Sequence, residues 1–167
     1  MSTTTRHYAP QLDKAFQGFA KGFAPDFQFG GTERNKVTFE ELLQNKFFLV
    51  HAIRRGIPYA LFDLIAAESP FTTDDWISFL DISLKTLQRY KAQGQDFKPM
   101  QSEKILELAE VTHFGLEVFG DMEKFKLWLN TPSFALGKMK PMELLADSYG
   151  KDLVMTELNR IEYGIFG

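Results

Sequence analysis

The segment from Phe71 to Gly94 reads FTTDDWISFLDISLKTLQRYKAQG, and it contains the clearest structural pattern of the chain. Thr72 is suited to cap one short helix, and the Asp74-Asp75 pair places negative charge where the helix dipole favours it. Ser83 is suited to cap a second helix, and only residues 81–83 separate the two. Two short helices joined by so short a turn are typical of a helix-turn-helix motif.

The apolar pattern of this stretch fits the usual register of that motif. The positions that the motif buries are occupied by Trp76, Leu80, Ile82, Leu87 and Tyr90. Two residues depart from the usual pattern: Ile77 replaces a small residue of the first helix, and Asp81 replaces the Gly of the turn. Because Asp tolerates a left-handed backbone better than most residues, we expect the turn to form. Ile77 indicates a looser crossing of the two helices.

The second helix of the motif, residues 84–93, divides into two faces, with Leu87 and Tyr90 facing inward. Its polar residues are Lys85, Thr86, Gln88, Arg89 and Lys91. They supply donors for phosphates and for guanine and adenine edges, so we predict that they contact DNA. An ordinary solvated helix face stays open as an alternative, because the charge is modest and counterion release scales with the number of cations.

Composition limits the other classes of protein. The chain has 167 residues, is 44% hydrophobic and has a net charge of −3, so it can bury a core and is not a polycation. It has no Cys, which excludes disulfides, thiol catalysis and thiolate metal sites. Residues 1–9 lack a signal-peptide pattern, and no apolar run approaches the about 20 residues of a membrane span. We expect a cytoplasmic protein with no membrane partner.

The residues before the motif predict three helices. Leu12, Phe16, Phe19 and Phe23 share one face of a short helix that ends at Pro25, and residues 26–37 read as a loop. We expect this apolar stripe to pack on the chain itself or on a second copy. Thr38 and Glu41 form a capping box for a helix that runs to about Arg55, and another helix begins near Pro58.

The residues after the motif predict four more helices. One covers 102–119, one runs from a cap at Asp121 to Trp128, one runs from Pro141 to Gly150, and the last is capped by Asp152. The core face of the last helix is Val154, Leu158 and Ile161, and Trp128 reads as a core aromatic. No strand pattern occurs, so the predicted fold is all-α with roughly eight helices. We expect an N-terminal arm over residues 1–37, a helix-turn-helix domain over 38–100 and a small helical domain over 101–167.

No catalytic, metal-binding or cofactor-binding pattern is present. The histidines at positions 7, 51 and 113 have no second ligand at metal spacing. The acidic pairs Glu40-Glu41 and Asp74-Asp75 lie in first turns, where capping explains them. The chain has no phosphate-binding Gly loop or nucleophile elbow. We therefore expect a protein that is not an enzyme and that needs no cofactor and no metal.

The segment from Trp128 to Gly167 carries a more specific pattern. It reads WLNTPSFALGKMKPMELLADSYGKDLVMTELNRIEYGIFG, and its key elements are Trp128-Leu129, Pro132, Ala135-Leu136-Gly137, Pro141 with Leu144-Leu145, Gly150 and Leu158–Gly164. Over these forty residues the chain resembles the C-terminal toxin-binding domain of the Xre/MbcA/ParS antitoxins. Lys138 stands where that family has a second Gly. Ser-Glu-Lys at 102–104 stands where it has Ser-Asp-Arg, and the resemblance does not extend to residues 1–45.

The resemblance implies an antitoxin of a bacterial type II toxin–antitoxin pair. The cognate toxin would carry a RES domain, related to ADP-ribosyltransferases, and would deplete NAD. The C-terminal domain would cover the active-site cleft of the toxin, the helix-turn-helix would repress the shared promoter by binding operator DNA, and a homodimer would be the building block.

Within this implied role we predict that the last helix and the tail bind the toxin. The predicted toxin-binding residues are Leu158, Arg160, Ile161, Tyr163, Gly164, Ile165, Phe166 and Gly167. Leu158, Ile161 and Phe166 would supply apolar area, and Tyr163 would contact the rim. Arg160 could pair with the toxin or, within the chain, with Glu157 or Glu162.

Two alternatives to the antitoxin remain open at this point. One is a stand-alone helix-turn-helix transcription regulator whose C-terminal helices serve only for dimerisation. The other is an adaptor in chromosome partition or at the cell pole, because part of the same superfamily is of that kind.

Overall fold

The computed structural model describes residues 10–23, 33 and 36–164. Apart from two isolated bridges, helices are the only regular secondary structure of these residues, so the predicted all-α fold is confirmed. The α-helices are α1 (Pro10–Ala20), α2 (Phe39–Leu43), α3 (Lys46–Arg55), α4 (Tyr59–Ala67), α5 (Thr73–Leu80), α6 (Leu84–Gln93), α7 (Pro99–Phe119), α8 (Met122–Leu129), α9 (Pro141–Leu144) and α10 (Ser148–Glu162). A short 3-10 helix covers Phe134–Leu136.

The N-terminal helix α1 packs on the rest of the chain. The predicted stripe of Leu12, Phe16, Phe19 and Phe23 is buried, which confirms that these residues form a core face of this protomer. The helix ends at Ala20, however, and Phe23 follows it in a turn; Pro25 and most of the predicted loop over 26–37 lie outside the described residues. Phe16 is fully buried, and its ring centroid lies 4.5 Å from that of Phe39 in α2.

Polar contacts fix α1 in place. The backbone N–H of Phe39 donates to Asp13 Oδ1 at 2.8 Å, and Gln17 Nε2 donates to the carbonyl of Val37 at 2.9 Å. At the other end of α1, Arg55 Nη1 donates to the carbonyl of Phe19 at 2.9 Å. The Phe-rich segment therefore extends the core of the N-terminal half.

The predicted single helix from Thr38 to Arg55 is wrong. The chain forms α2 and α3 there, because Asn45 acts as the N-cap of α3 and its side chain accepts from the N–H of Phe48 at 3.0 Å. Asn is favoured at such caps and disfavoured inside helices, since its side chain competes for backbone hydrogen bonds. The predicted cap at Thr38 is confirmed at the start of α2.

Helices α5 and α6 form the predicted helix-turn-helix. Thr72 and Asp75 make reciprocal capping hydrogen bonds at 3.1 and 2.9 Å, and Ser83 caps α6. Asp81 adopts the left-handed backbone (φ 53°, ψ 50°) that the turn requires. Trp76 is 1% exposed, so the motif is anchored in the core as predicted.

Helix α7 joins the two halves of the chain, since it packs on α2, α3 and α5 of the N-terminal half and on α8 and α10 of the C-terminal half. It begins at Pro99, three residues before the predicted start, because Pro is favoured in a first helical turn. The buried hydroxyl of Ser102 accepts from the N–H of Ile57 at 2.8 Å and donates to the carbonyl of Phe97 at 3.3 Å. The predicted domain division at residues 100 and 101 falls within the first turn of α7 and stays a prediction.

The C-terminal half contains one further correction. The predicted helix from Pro141 to Gly150 and the predicted cap at Asp152 are wrong, because α9 ends at Leu144 and Asp147 caps α10. Asp147 Oδ1 accepts from the N–H of Gly150 at 2.7 Å, so Gly150 lies in the first turn of α10. A Cβ atom at Gly150 would overlap the carbonyl oxygen of Leu144, which explains the glycine by close approach of two backbones.

The start of the C-terminal half agrees with prediction. Asp121 caps α8 by accepting from the N–H of Lys124 at 2.9 Å. Trp128 packs at the edge of the core, with its ring centroid 5.6 Å from that of Phe119 and 6.3 Å from that of Phe125. None of the helices in the described ranges has the length and apolar character needed to cross a bilayer.

Candidate functional site

Helix α6 presents a cationic outer face. Leu87 and Tyr90 are 6% and 3% exposed and hold the helix on the core, as predicted. Of the predicted DNA-binding residues, Lys85, Gln88, Arg89 and Lys91 are exposed. Three of these four are cations, and α6 contains no acidic residue. The face can therefore donate to phosphates and to base edges, which is what a recognition helix requires.

Thr86, the fifth predicted DNA-binding residue, is half-buried and belongs to the N-cap of α6. Its backbone N–H donates to Ser83 Oγ at 3.0 Å, and its hydroxyl accepts from Ser83 Oγ at 2.9 Å. Its side chain thus supports the start of the helix, while the other four residues form the open surface.

The second candidate surface lies on α10, whose inner face is packed on α7, α9 and the 3-10 helix. Val154 and Leu158 are 0% exposed, and Ile161 is half-buried, so the predicted core face of the last helix is confirmed. Since Leu158 is a core residue of this protomer, it could contact a partner only if α10 left its own core.

The outer face of α10 carries aromatic and aliphatic side chains exposed to solvent. Tyr149, Leu153 and Tyr163 are 86%, 54% and 76% exposed. Together with Thr156 and Arg160 they follow the spacing of a single helix face, and these five residues are called the α10 stripe below. A row of large apolar side chains on a charged helix is typical of an interaction surface.

The sequence-based prediction did not include three residues of the α10 stripe, Tyr149, Leu153 and Thr156. All three lie on the side of the helix away from Val154 and Leu158, so the helical period of the sequence contained the signal. The predicted cap at Asp152 placed Tyr149 and Leu153 in different helices, so the prediction did not assign them to one face.

The remaining predicted toxin-binding residues lie near the end of α10. The guanidinium of Arg160 is 3.5 Å from a carboxylate oxygen of Glu157, with about a third of the Arg side chain exposed. The internal pairing left open above is therefore present, and the guanidinium stays accessible. Gly164 follows α10 with a left-handed backbone (φ 66°), whereas Ile165, Phe166 and Gly167 lie outside the described residues.

Hydrogen bonds and ion pairs hold α10 and the residues before it on α7. Ser148 Oγ donates to Glu107 Oε1 at 3.1 Å, and Lys151 Nζ lies 3.5 Å from Glu110 Oε2. Lys104 Nζ donates to the carbonyl of Leu145 at 3.1 Å just before α10 begins. The side chains of Lys104 and Lys151 are only 13% and 15% exposed, so solvent screens these contacts weakly. The α10 stripe is thus presented by a fixed helix.

The loop beside α10 adds another exposed aromatic. Phe134 is 87% exposed at the start of the 3-10 helix that packs on α10. The loop closes through Gly137 and Lys138, which both have φ 68°, and the N–H of Ser133 donates to the carbonyl of Met139 at 3.0 Å. Lys138 adopts the left-handed backbone that Gly adopts at little cost.

Among the residues that the structure describes, no group of three or more His, Asp or Glu side chains could hold a metal ion.

The fold and these two surfaces define a helix-turn-helix protein with an added helical interaction domain. Residues 48–110 match the antitoxin Xre-like helix-turn-helix domain, and residues 115–164 match the antitoxin Xre/MbcA/ParS C-terminal toxin-binding domain. The chain is also 28% identical over 119 residues to the antitoxin Xre of Yersinia enterocolitica, an alignment that covers 71% of this chain and 80% of that protein. The chain belongs to the Xre-type antitoxins, which confirms the resemblance seen in the sequence. Membership in this family favours a role without catalysis.

Proposed function

We propose that this chain neutralises a RES-domain, NAD-depleting toxin of a type II toxin–antitoxin pair by covering the toxin's active site. The observation that carries the proposal is the α10 stripe. It is the exposed face of the longest helix that lies wholly within the segment matching the toxin-binding domain. The action is steric: the bound antitoxin denies NAD access to the toxin and performs no reaction.

The residues of α10 divide this task. Tyr149, Leu153 and Tyr163 supply the contact area, and each fully buried large side chain contributes about 1.5–3 kcal/mol. Arg160 donates hydrogen bonds that set the register of the complex. Leu158 and Ile161 contribute indirectly. They pack α10 on the core of this chain, and this packing orients the stripe toward the toxin.

The toxin-binding tail predicted from the sequence is also part of this proposal. Gly164 ends α10 with a left-handed backbone, and the two residues that follow it in the sequence, Ile165 and Phe166, are apolar. In the proposed complex this segment enters the active-site cleft. The side chains of Ile165 and Phe166 displace water there and occupy the space that NAD would need.

The helix-turn-helix gives the antitoxin a second role, repression of its own operon. Lys85, Gln88, Arg89 and Lys91 of α6 contact operator DNA in this proposal. One patch of three cations binds weakly by itself, because affinity rises with the number of neutralised phosphates. A homodimer that places two α6 helices about 34 Å apart, in successive major grooves, binds usefully.

The experiment that tests neutralisation is co-expression with a RES-domain protein encoded beside this chain, with growth and cellular NAD as readouts. We expect the wild-type chain to restore both and to co-purify with the toxin. A Tyr149→Ala/Leu153→Ala variant should restore neither while remaining folded. A protein that binds operator DNA but leaves NAD depleted would instead be a stand-alone regulator.

Point substitutions test this role better than truncation. Cutting the chain at Gly150 would remove Val154 and Leu158 from the core, so a loss of neutralisation would follow from unfolding alone. The matched control is Phe47→Ala, which removes an aromatic side chain that is 78% exposed on α3 of the other half. This control should neutralise like wild type.

A further inference from the structure

Leu84 is the first residue of α6, directly after the N-cap Ser83, and its side chain is 46% exposed. The buried inner face of this helix is formed by Leu87 and Tyr90. The inner part of Leu84 lines a small cleft against α4 and α5, near Phe62 and Trp76. Gln88 and Lys91 line the same cleft, so the exposed leucine borders the cationic face of α6.

We propose that Leu84 contacts the C5-methyl group of a thymine in the operator, so that a T·A pair is selected at the start of each α6. This inference rests on the DNA-binding role proposed above. It names a specificity-determining residue that lies outside the polar set of α6.

The position of Leu84 on the helix supports this contact. The N-terminal residues of a recognition helix are those that approach base edges in the major groove. Leu84 and Gln88 are four residues apart and share one edge of the exposed face, whereas Lys85 and Arg89 share the adjacent edge. A helix docked by Lys85 and Arg89 therefore brings Leu84 against the neighbouring base pair.

The chemistry of the groove then leaves one group for Leu84 to recognise. Lys, Arg and Gln read the acceptors and donors of guanine and adenine. A leucine side chain has neither donors nor acceptors, and the thymine methyl is the apolar group that a base pair presents in the major groove. Any other base at this position lacks the methyl group and gives the leucine no equivalent apolar contact.

The test uses the full-length protein and duplexes selected with it from a random DNA pool. Each thymine of the selected site is replaced in turn by uracil, which removes only the methyl group. We expect affinity to fall about fourfold at one thymine of each half-site, the value for one buried methyl-sized group. Uracil at every position with wild-type affinity would overturn the proposal.

Two variants assign the effect to Leu84. Leu84→Ala and Leu84→Gln should both lose the uracil penalty, and the Gln variant keeps the aliphatic stem if Ala loosens α6. Leu127→Ala, at a leucine that is 70% exposed on α8, should keep it. A penalty that persists in both Leu84 variants contradicts the assignment.

The outcome also separates this inference from the proposed function. A protein that selects no duplex from the pool contradicts the repressor role and this inference together. A protein that binds a selected site without any dependence on thymine methyl groups contradicts this inference alone. Neutralisation of the toxin is independent of both results, since α6 lies outside the matched toxin-binding domain.

Discussion

Leu153 and Leu158 lie on opposite sides of α10, where the first is 54% exposed and the second is 0% exposed. Five residues of an α-helix turn the side chain by about 140°, which accounts for the difference. Leu158 therefore stabilises the C-terminal domain, and Leu153 belongs to the surface that this domain exposes for a partner.

Substitution of these two leucines should separate stability from binding. Leu158→Ala leaves a cavity in the core and should lower the free energy of unfolding by about 2–5 kcal/mol. Leu153→Ala should change it by less than about 0.5 kcal/mol, because most of the side chain is already in water. Urea denaturation of both variants measures the difference, and equal losses of stability would contradict the placement of α10.

The turn of the helix-turn-helix should depend on the backbone of Asp81. Its left-handed conformation suits Gly and Asp but not a β-branched residue. Asp81→Val should destabilise the protein by about 1–2 kcal/mol. Asp81→Gly should be tolerated, because Gly adopts this backbone without steric strain. Thermal unfolding midpoints compare the two variants. A Val variant as stable as the Gly variant would show that the turn does not require a left-handed backbone at residue 81.

Removal of the cations of α6 should weaken DNA binding in a salt-dependent manner. Replacing Lys85, Arg89 and Lys91 with Ala should reduce the slope of log affinity against log salt by up to about 2.7 per protomer, since each phosphate contact contributes about 0.9. Toxin binding should not change.

A charge-matched control for this experiment removes Lys124, Lys138 and Lys140, which are exposed in the C-terminal half. It alters the net charge by the same amount and should leave the salt slope intact. Should it lower the slope equally, the effect would arise from overall charge and not from α6.

The attachment of α1 should depend on Arg55. This residue donates a hydrogen bond to the carbonyl of Phe19, and its guanidinium lies 4.8 Å from the centroid of the Phe19 ring. Arg55→Ala should lower the free energy of unfolding by about 1–2 kcal/mol, a value that is reduced because Arg55 is exposed to solvent. Hydrogen exchange of the amides in α1 should accelerate more than exchange in α7. Arg54→Ala, at the exposed neighbour, is the control and should leave α1 protected.

The parts of the fold that depend on local chemistry could be predicted from the sequence. Thr72, Ser83 and Asp121 act as caps through side-chain oxygens a few residues from the amides that they bind. The break at Asn45 was missed because the apolar period continues through it. The residue that distinguishes two helices from one is Asn45, whose side chain caps α3 by accepting from the N–H of Phe48.

The C-terminal site was predicted less well, for a physical reason that concerns Gly150. A glycine after an apolar run is a common helix end, and the sequence contains no sign that this one allows two backbones to approach. With Gly150 read as an end, Asp152 became the cap and Tyr149 fell outside the last helix. The outer face of α10 could be recognised only after Asp147 was placed as its N-cap.

Whether the α10 stripe binds the toxin is decided by the affinity of the Tyr149→Ala/Leu153→Ala variant for the purified toxin, measured beside wild type and Phe47→Ala. Both side chains would be buried in the complex, so we expect their loss to weaken the affinity at least about 100-fold. The free energy of unfolding should not change, and Phe47→Ala should bind the toxin like wild type. A folded double variant that binds the toxin as tightly as wild type would contradict the claim that the outer face of α10 is the toxin-binding surface.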